Sequence, residues 1–279
     1  MSGHPDLFDL TGRVAVVTGG NKGIGLGFAR GLARAGADVA IWARNEDDNA
    51  RAVEALSAFG TRVIGLPCDI DDPETITEAC RRTLASLGRI DACFANAGGG
   101  DGYDPLKVSP ERFARTLDMN VDGTFFTLQE VAKHMKERGG GGKLVTVSSI
   151  TERFGAAKMP GYAAAKAALG GIVRSLAIEF ARYDIQVNNL QPGWIETDAT
   201  RPMRDNDKLR ETVVHRTPAR RWGTTADFEG IAVYFASRAS DFHTGDTVCI
   251  DGGYSIFCGE LGGAARRASG PRRPATASP

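Results

Sequence analysis

Short, mostly apolar runs recur along the chain at 13–18, 38–43, 62–66, 90–95, 143–148, 186–190 and 247–250. They do not alternate strictly between apolar and polar positions, so each predicts a strand covered on both faces. Between them, apolar residues fall at helical spacing over 23–35, 46–59, 73–87, 110–138, 161–181 and 225–236. Asp72 before Pro73, and Ser109 before Pro110, read as N-caps with proline in the first helical position. Strand and helix alternating in this way predict a parallel sheet with right-handed crossovers, a doubly wound α/β domain of about seven strands. The rhythm breaks over 196–224, which is polar, highly charged and carries Met203 and Trp222. That segment reads as a lobe over the active site, a substrate lid within a single domain spanning 1–258. From 259 to 279 the chain is largely Gly, Ala, Arg, Ser and Pro, with Arg266, Arg267, Arg272 and Arg273, and predicts a disordered, solvated tail.

Composition narrows the function classes. With 279 residues, 42% hydrophobic and 24% charged, the chain can bury a full core. Its net charge of zero supplies no global field for nucleic acid or an acidic membrane, so a small-molecule partner is expected. Five cysteines with no CxxC pair, and four scattered histidines, argue against a disulfide frame or a structural zinc site, and no metal is expected. No apolar run is long enough to span a membrane, and residues 1–12 lack a signal-peptide core. The expected location is the cytoplasm.

The chemistry gathers where predicted strands end. The first strand runs into Thr18-Gly19-Gly20-Asn21-Lys22-Gly23-Ile24-Gly25, where a helix begins. Glycines there permit a sharp turn and let backbone N–H groups approach a pyrophosphate at the helix N-terminus. The spacing, TGxxxGxG, differs from the GxGxxG dinucleotide fingerprint, and a purely structural turn remains the alternative. At the end of the second strand, Ala43 and Arg44 stand where an acid would bind a ribose 2′-hydroxyl, and Asn45 follows. Arg44 there, with Lys22 from the glycine loop, favours NADP(H) over NAD(H), because cations accept a 2′-phosphate. Tyr162 and Lys166 are i and i+4 on one helix face, which sets an ammonium beside the phenol and is expected to lower its pKa toward that of a usable acid or base. Ser148-Ser149 close one strand and Asn96-Ala97-Gly98 another, and Asn120 sits within the long predicted helix.

Taken together, TGGNKGIG, CDI (68–70), NAG (96–98), the asparagine of MNVDG (119–123), SS (148–149), YAAAK, PGWIET (192–197) and DGG (251–253) resemble the short-chain dehydrogenase/reductase family over about 10–257. The resemblance implies a Rossmann-type fold and a catalytic tetrad of Asn120, Ser149, Tyr162 and Lys166. It places Asp69 and Ile70 at the adenine, Asn96, Ala97 and Gly98 at the ribose, and Pro192, Gly193, Ile195 and Thr197 at the nicotinamide. Family members are commonly homodimers or homotetramers, packed through their long helices and last strand. RTPARRWG (216–223) followed by DGG also resembles the sugar-acid and polyol dehydrogenases of this family.

The activity so implied is hydride transfer between NAD(P) and a secondary alcohol or ketone. Ser149 and Tyr162 would hold the substrate oxygen, Lys166 would hold the ribose, and Asn120 would anchor a proton-relaying water. A non-catalytic dinucleotide-binding regulator or scaffold on the same fold is the alternative. Departures from the family pattern are Ala95 before NAG, Gln191 before Pro-Gly, and the bulky, charged Thr151-Glu152-Arg153-Phe154 after the serine. Arg153 is a candidate contact for a carboxylate or a hydroxyl-rich substrate.

Overall fold

A computed structural model describes residues 7–100 and 102–258. The predicted tail over 259–279 lies outside the described residues. Seven parallel strands form one sheet: β1 (Val14–Thr18), β2 (Asp38–Trp42), β3 (Val63–Leu66), β4 (Ala92–Ala95), β5 (Gly142–Val147), β6 (Ile185–Pro192) and β7 (Thr247–Ile250). Their order is β3-β2-β1-β4-β5-β6-β7, with every adjacent pair parallel. The Rossmann-type doubly wound fold expected from the sequence is present.

Strand residues alternate between two buried layers, as the two-residue period of a strand requires. Ala15 and Val17 face a cluster with Phe28, Leu32, Phe228 and Phe235, whereas Val14 and Val16 face one with Ile76, Leu128, Met135 and Val173. The first layer is built by α1 (Gly23–Arg34), α2 (Glu46–Ser57) and α9 (Glu229–Ala236), the second by α3 (Pro73–Leu87), α5 (Gly123–Arg138) and α6 (Pro160–Phe180). The two caps read from sequence are formed: Asp72 accepts from the Glu74 N–H at 2.9 Å, and Ser109 from the Arg112 N–H at 3.3 Å.

Three segments differ from the periodicity. The single helix expected over 110–138 is α4 (Pro110–Leu117), a π turn over Asp118–Asp122, and then α5. The π turn carries Asn120, whose fully buried amide is clamped by backbone from outside the helix. The helix expected over 225–236 opens with a 3₁₀ turn over Thr225–Phe228 before α9. The charged stretch 196–224 contains two short helices, α7 (Arg201–Arg204) and α8 (Asp207–Arg216). Among the described residues no helix is long and apolar enough to cross a membrane.

Candidate active site

The strand order reverses between β1 and β4, and the carboxyl ends of such strands open the crevice where α/β sheets take ligands. Thr18 ties the two ends together. Its hydroxyl accepts the N–H groups of Asn96 and Ala97 at 2.9 Å each, and its carbonyl accepts Asn96 Nδ2 at 3.0 Å. Gly19 and Gly23 turn with φ of +62° and +56°, a region that favours glycine. A Cβ on Gly25 would lie 2.3 Å from the Gly19 carbonyl oxygen, so only glycine lets α1 start this close beneath the loop.

The start of α1 is left without a side-chain cap. Its N-cap is Lys22, which makes no side-chain cap, and its first turn holds no acid. By contrast α2, α3 and α4 are capped by Asn45, Asp72 and Ser109. The first N–H groups of α1 have no acceptor within the helix and carry the positive end of its dipole. An anion is the natural occupant of such a terminus.

A cleft of about 1530 Å³ runs from this terminus across the strand ends. Its walls include Gly19, Asn21, Lys22, Gly23, Ile24, Arg44, Asn45, Asp69, Ile70, Asn96, Ala97, Gly98, Pro192, Gly193, Ile195 and Thr197, with Ser149, Tyr162 and Lys166. Of the expected cofactor residues only Gly25 lies behind the wall, beneath the Gly19 turn. Asn21 and Asn45 face the cleft with side chains already engaged, on Asn49 at 2.8 Å and on the Asp48 N–H at 2.8 Å. Arg44 reaches Asp69 at 3.8 Å, whereas Lys22 is exposed.

Around the reacting end of the cleft, two titratable groups are kept from water. Lys166 is 4% exposed, donates from Nζ to the Val147 carbonyl at 2.9 Å, and lies 5.6 Å from the centroid of the Tyr162 ring. Burial alone pulls its ammonium down to about 8 from an ordinary 10.5. Tyr162 is displaced upward from its usual value, because burial opposes the phenolate and the Ser149 hydroxyl only partly offsets that. The expected lowering of the tyrosine pKa by its lysine neighbour is thus corrected for the free protein: the ammonium is over the ring and bonded to β5, and desolvation dominates.

Asn120 is held by backbone groups. Its Nδ2 donates to the Gly99 carbonyl at 2.7 Å and the Thr116 carbonyl at 2.9 Å, and its Oδ1 accepts the Gly99 N–H at 3.1 Å. The side chain does not line the cleft; it fastens the loop after β4 to the π turn.

The comparisons with known proteins agree with this geometry. A family model described as enoyl-(acyl carrier protein) reductase matches residues 19–255. The 2-dehydro-3-deoxy-D-gluconate 5-dehydrogenase of Escherichia coli is 35% identical over 88% of this chain and 97% of its own. Gluconate 5-dehydrogenase of Gluconobacter oxydans is 33% identical over 91% and 98%. A crystal structure of gluconate 5-dehydrogenase from Burkholderia cenocepacia, in complex with NADP and tartrate, superposes with a TM-score of 0.85 at 35% identity, covering 90% of this chain and 98% of that one. The chain belongs to the short-chain dehydrogenase/reductase family. It is an NAD(P)-dependent oxidoreductase acting on a secondary alcohol or ketone, and the scaffold alternative is set aside.

In this short-chain dehydrogenase the two adjacent serines have separate surroundings. Ser149 lines the cleft and its Oγ accepts the Thr151 N–H at 3.2 Å. Ser148 is buried and donates to Glu152 Oε2 at 2.8 Å. The same carboxylate oxygen accepts Asn189 Nδ2 at 3.2 Å and Gln191 Nε2 at 3.0 Å. Glu152 and Gln191, two departures from the family pattern, therefore answer one another beneath the site.

Substrate-side residues divide in ways the sequence did not reveal. Arg153 is exposed and is not on the cleft wall, which corrects its candidate role as a substrate contact. Trp222 is 4% exposed and packs edge-on against Trp194 at 5.3 Å, so it belongs to the support beneath the lobe. Met203 does face the cleft, as do Phe154, Trp194, Arg216 and Tyr254. Arg216 and Tyr254 sit within or beside the RTPARRWG and DGG motifs, which was the available signal for them.

Proposed function

We propose that the protein interconverts hydroxyl and keto groups on a polyol or sugar-acid type substrate, with NADP(H) preferred over NAD(H). The observation carrying this reading is the uncapped, lysine-led start of α1 opening into the same cleft as Ser149, Tyr162 and Lys166. The cleft's donor set fits a dinucleotide. Unpaired N–H groups of α1 suit the pyrophosphate, Asp69 and Ile70 the adenine, and Lys166 with Asn96 to Gly98 the ribose. Pro192, Gly193, Ile195 and Thr197 suit the nicotinamide, which when bound supplies or accepts the hydride.

The chain's residues supply orientation and protons. In reduction, Ser149 and Tyr162 donate hydrogen bonds to the substrate carbonyl oxygen, where negative charge develops as the carbon accepts hydride. Tyr162 then gives its proton to that oxygen, and in oxidation the two transfers reverse. A phenolate formed there is stabilised by the neighbouring ammonium of Lys166, since a phenolate and an ammonium compensate each other's desolvation. Asn120 keeps the Gly98–Gly100 loop in register with Tyr162. The 196–224 lobe, through Thr197, Met203 and Arg216, acts as a lid that excludes water from the reacting carbon.

The cofactor preference rests on Lys22 and Arg44. The Arg44–Asp69 pair is long and solvent-exposed, so it contributes little and yields readily to a phosphate. Titration of the full chain is expected to show NADP(H) bound roughly 10–100-fold more tightly than NAD(H), the span of one or two charge-assisted hydrogen bonds. The Lys22→Ala/Arg44→Ala double variant should lose most of that margin while retaining NAD(H) binding. Equal affinities in the wild type would reject the preference. Turnover is tested with a panel of secondary alcohols, polyols and sugar acids read at the nicotinamide absorbance, and silence across it would reject the substrate reading.

A further inference from the structure

On the cleft wall, three segments distant in sequence meet around one guanidinium. Arg216 ends α8. Its Cζ lies 4.3 Å from the centroid of the Tyr254 ring and 5.2 Å from that of Phe154, and the two rings stand edge to face at 6.3 Å. Phe154 comes from the loop after Ser149, and Tyr254 from the turn after β7. All three residues line the cleft that holds Ser149 and Tyr162.

The arginine's backbone is fixed from behind. Thr217, 3% exposed, donates through its N–H and its hydroxyl to the Val213 carbonyl at 2.9 and 2.7 Å. The Ala219 N–H donates to the Gly252 carbonyl at 3.1 Å. Gly252, at φ +64°, approaches so closely that a Cβ would lie 2.9 Å from Thr217 Cγ2. The turn that carries Tyr254 is itself held by Asp251, which accepts the Gly253 and Ser255 N–H groups at 2.8 and 2.7 Å.

Aromatic faces hold a guanidinium by its plane and leave the in-plane N–H fork available. No carboxylate within the described residues pairs with Arg216. The other arginine on the cleft wall, Arg44, reaches Asp69, and Asp198 on the same wall pairs with Arg201. A fixed cation with an open fork, in the cavity where the hydroxyl is to be oxidised, matches a carboxylate.

We propose that Arg216, seated between Phe154 and Tyr254, is the carboxylate anchor that makes the substrate a hydroxy-acid anion rather than a neutral polyol. This rests on the oxidoreductase reading above and narrows its substrate class. The carboxylate sits on Arg216, and the carbinol carbon reaches Ser149 and Tyr162.

The test compares the full-length wild type with Arg216→Gln and Arg216→Lys at saturating NADP(H). Substrates are aldonates and alditols matched in length, which differ in a carboxylate against a hydroxymethyl group. The wild type is expected to favour the acid in kcat/KM by roughly 10–100-fold, as one bidentate charged contact allows. In Arg216→Gln the preference collapses toward unity, chiefly through KM. Arg216→Lys recovers part of it, because a point charge lacks the fork. Aldonate binding to the NADP-loaded protein is titrated separately by indole fluorescence, without turnover. Aldonate binding that needs Arg216, with no alcohol oxidised, would uphold the anchor and overturn the proposed activity. Equal preference in the wild type, equal losses on acid and polyol in Arg216→Gln, or aldonate binding absent or indifferent to Arg216 would overturn the anchor.

Discussion

Replacing Tyr162 with phenylalanine is expected to lower kcat on the order of 10³-fold while NADP(H) affinity stays near that of the wild type. The ring keeps its place on α6, and what is lost is the hydroxyl that Ser149 faces. General acid–base groups contribute roughly 10²–10⁴-fold, and among the described residues no other group on the cleft wall combines a transferable proton with contact to Ser149. Stability should change by less than about 1 kcal/mol, since one modest hydrogen bond is removed from a buried site. Steady-state kinetics with cofactor titration check this. A variant with near-normal kcat on a good substrate would remove Tyr162 from the chemistry.

The second large effect couples activity to stability through Lys166. Its ammonium is buried and held near 8, against 10.5 in an exposed lysine. Between those values the unfolded chain binds more protons than the folded one, so this group makes stability rise with pH from about 8 to about 10.5. Below about 8 the cost of burying the charge is present in full, on the order of 3 kcal/mol. Lys166→Met removes that cost and the bond to the Val147 carbonyl together. The net expectation at neutral pH is a gain of about 1–2 kcal/mol, because an unpaired buried carbonyl takes back part of it. Activity should fall roughly 10²–10³-fold, with weaker cofactor binding, since the same cation serves Tyr162 and the ribose. Urea denaturation at neutral and alkaline pH, run beside kinetics, separates these effects. A less stable variant at neutral pH that keeps the wild-type alkaline slope would contradict the assignment.

Much of the fold was legible because parallel strands buried on both faces announce themselves as apolar runs, and all seven fall within a few residues of their expected positions. That the residues expected to hold the cofactor share one cleft was legible for a related reason. Its residues sit in short motifs at strand ends, where topology alone brings Gly19, Asn96 and Pro192 together. The π turn at Asn120 was hidden, because helical periodicity runs unbroken through 110–138 and the distortion comes from a clamp on Gly99, far along the chain. Glu152 and Gln191 looked like isolated departures, and only the pairing of β5 with β6 brings the Gln191 amide N–H onto the Glu152 carboxylate. Arg153 and Arg216 were equally charged and equally exposed in prospect. What separates them is Tyr254, delivered to Arg216 by the turn after β7, and no local pattern reports that meeting.

The central claim is hydride transfer between a bound nicotinamide and a substrate carbon, with the proton passing through Tyr162. Incubating the wild type with NADPH deuterated at the transferring C4 position and a panel of keto acids tests it most directly. The expected result is oxidation of the cofactor with deuterium retained on one face of the new carbinol carbon. Cofactor that binds and is never consumed, or deuterium recovered in water instead of on that carbon, would contradict it.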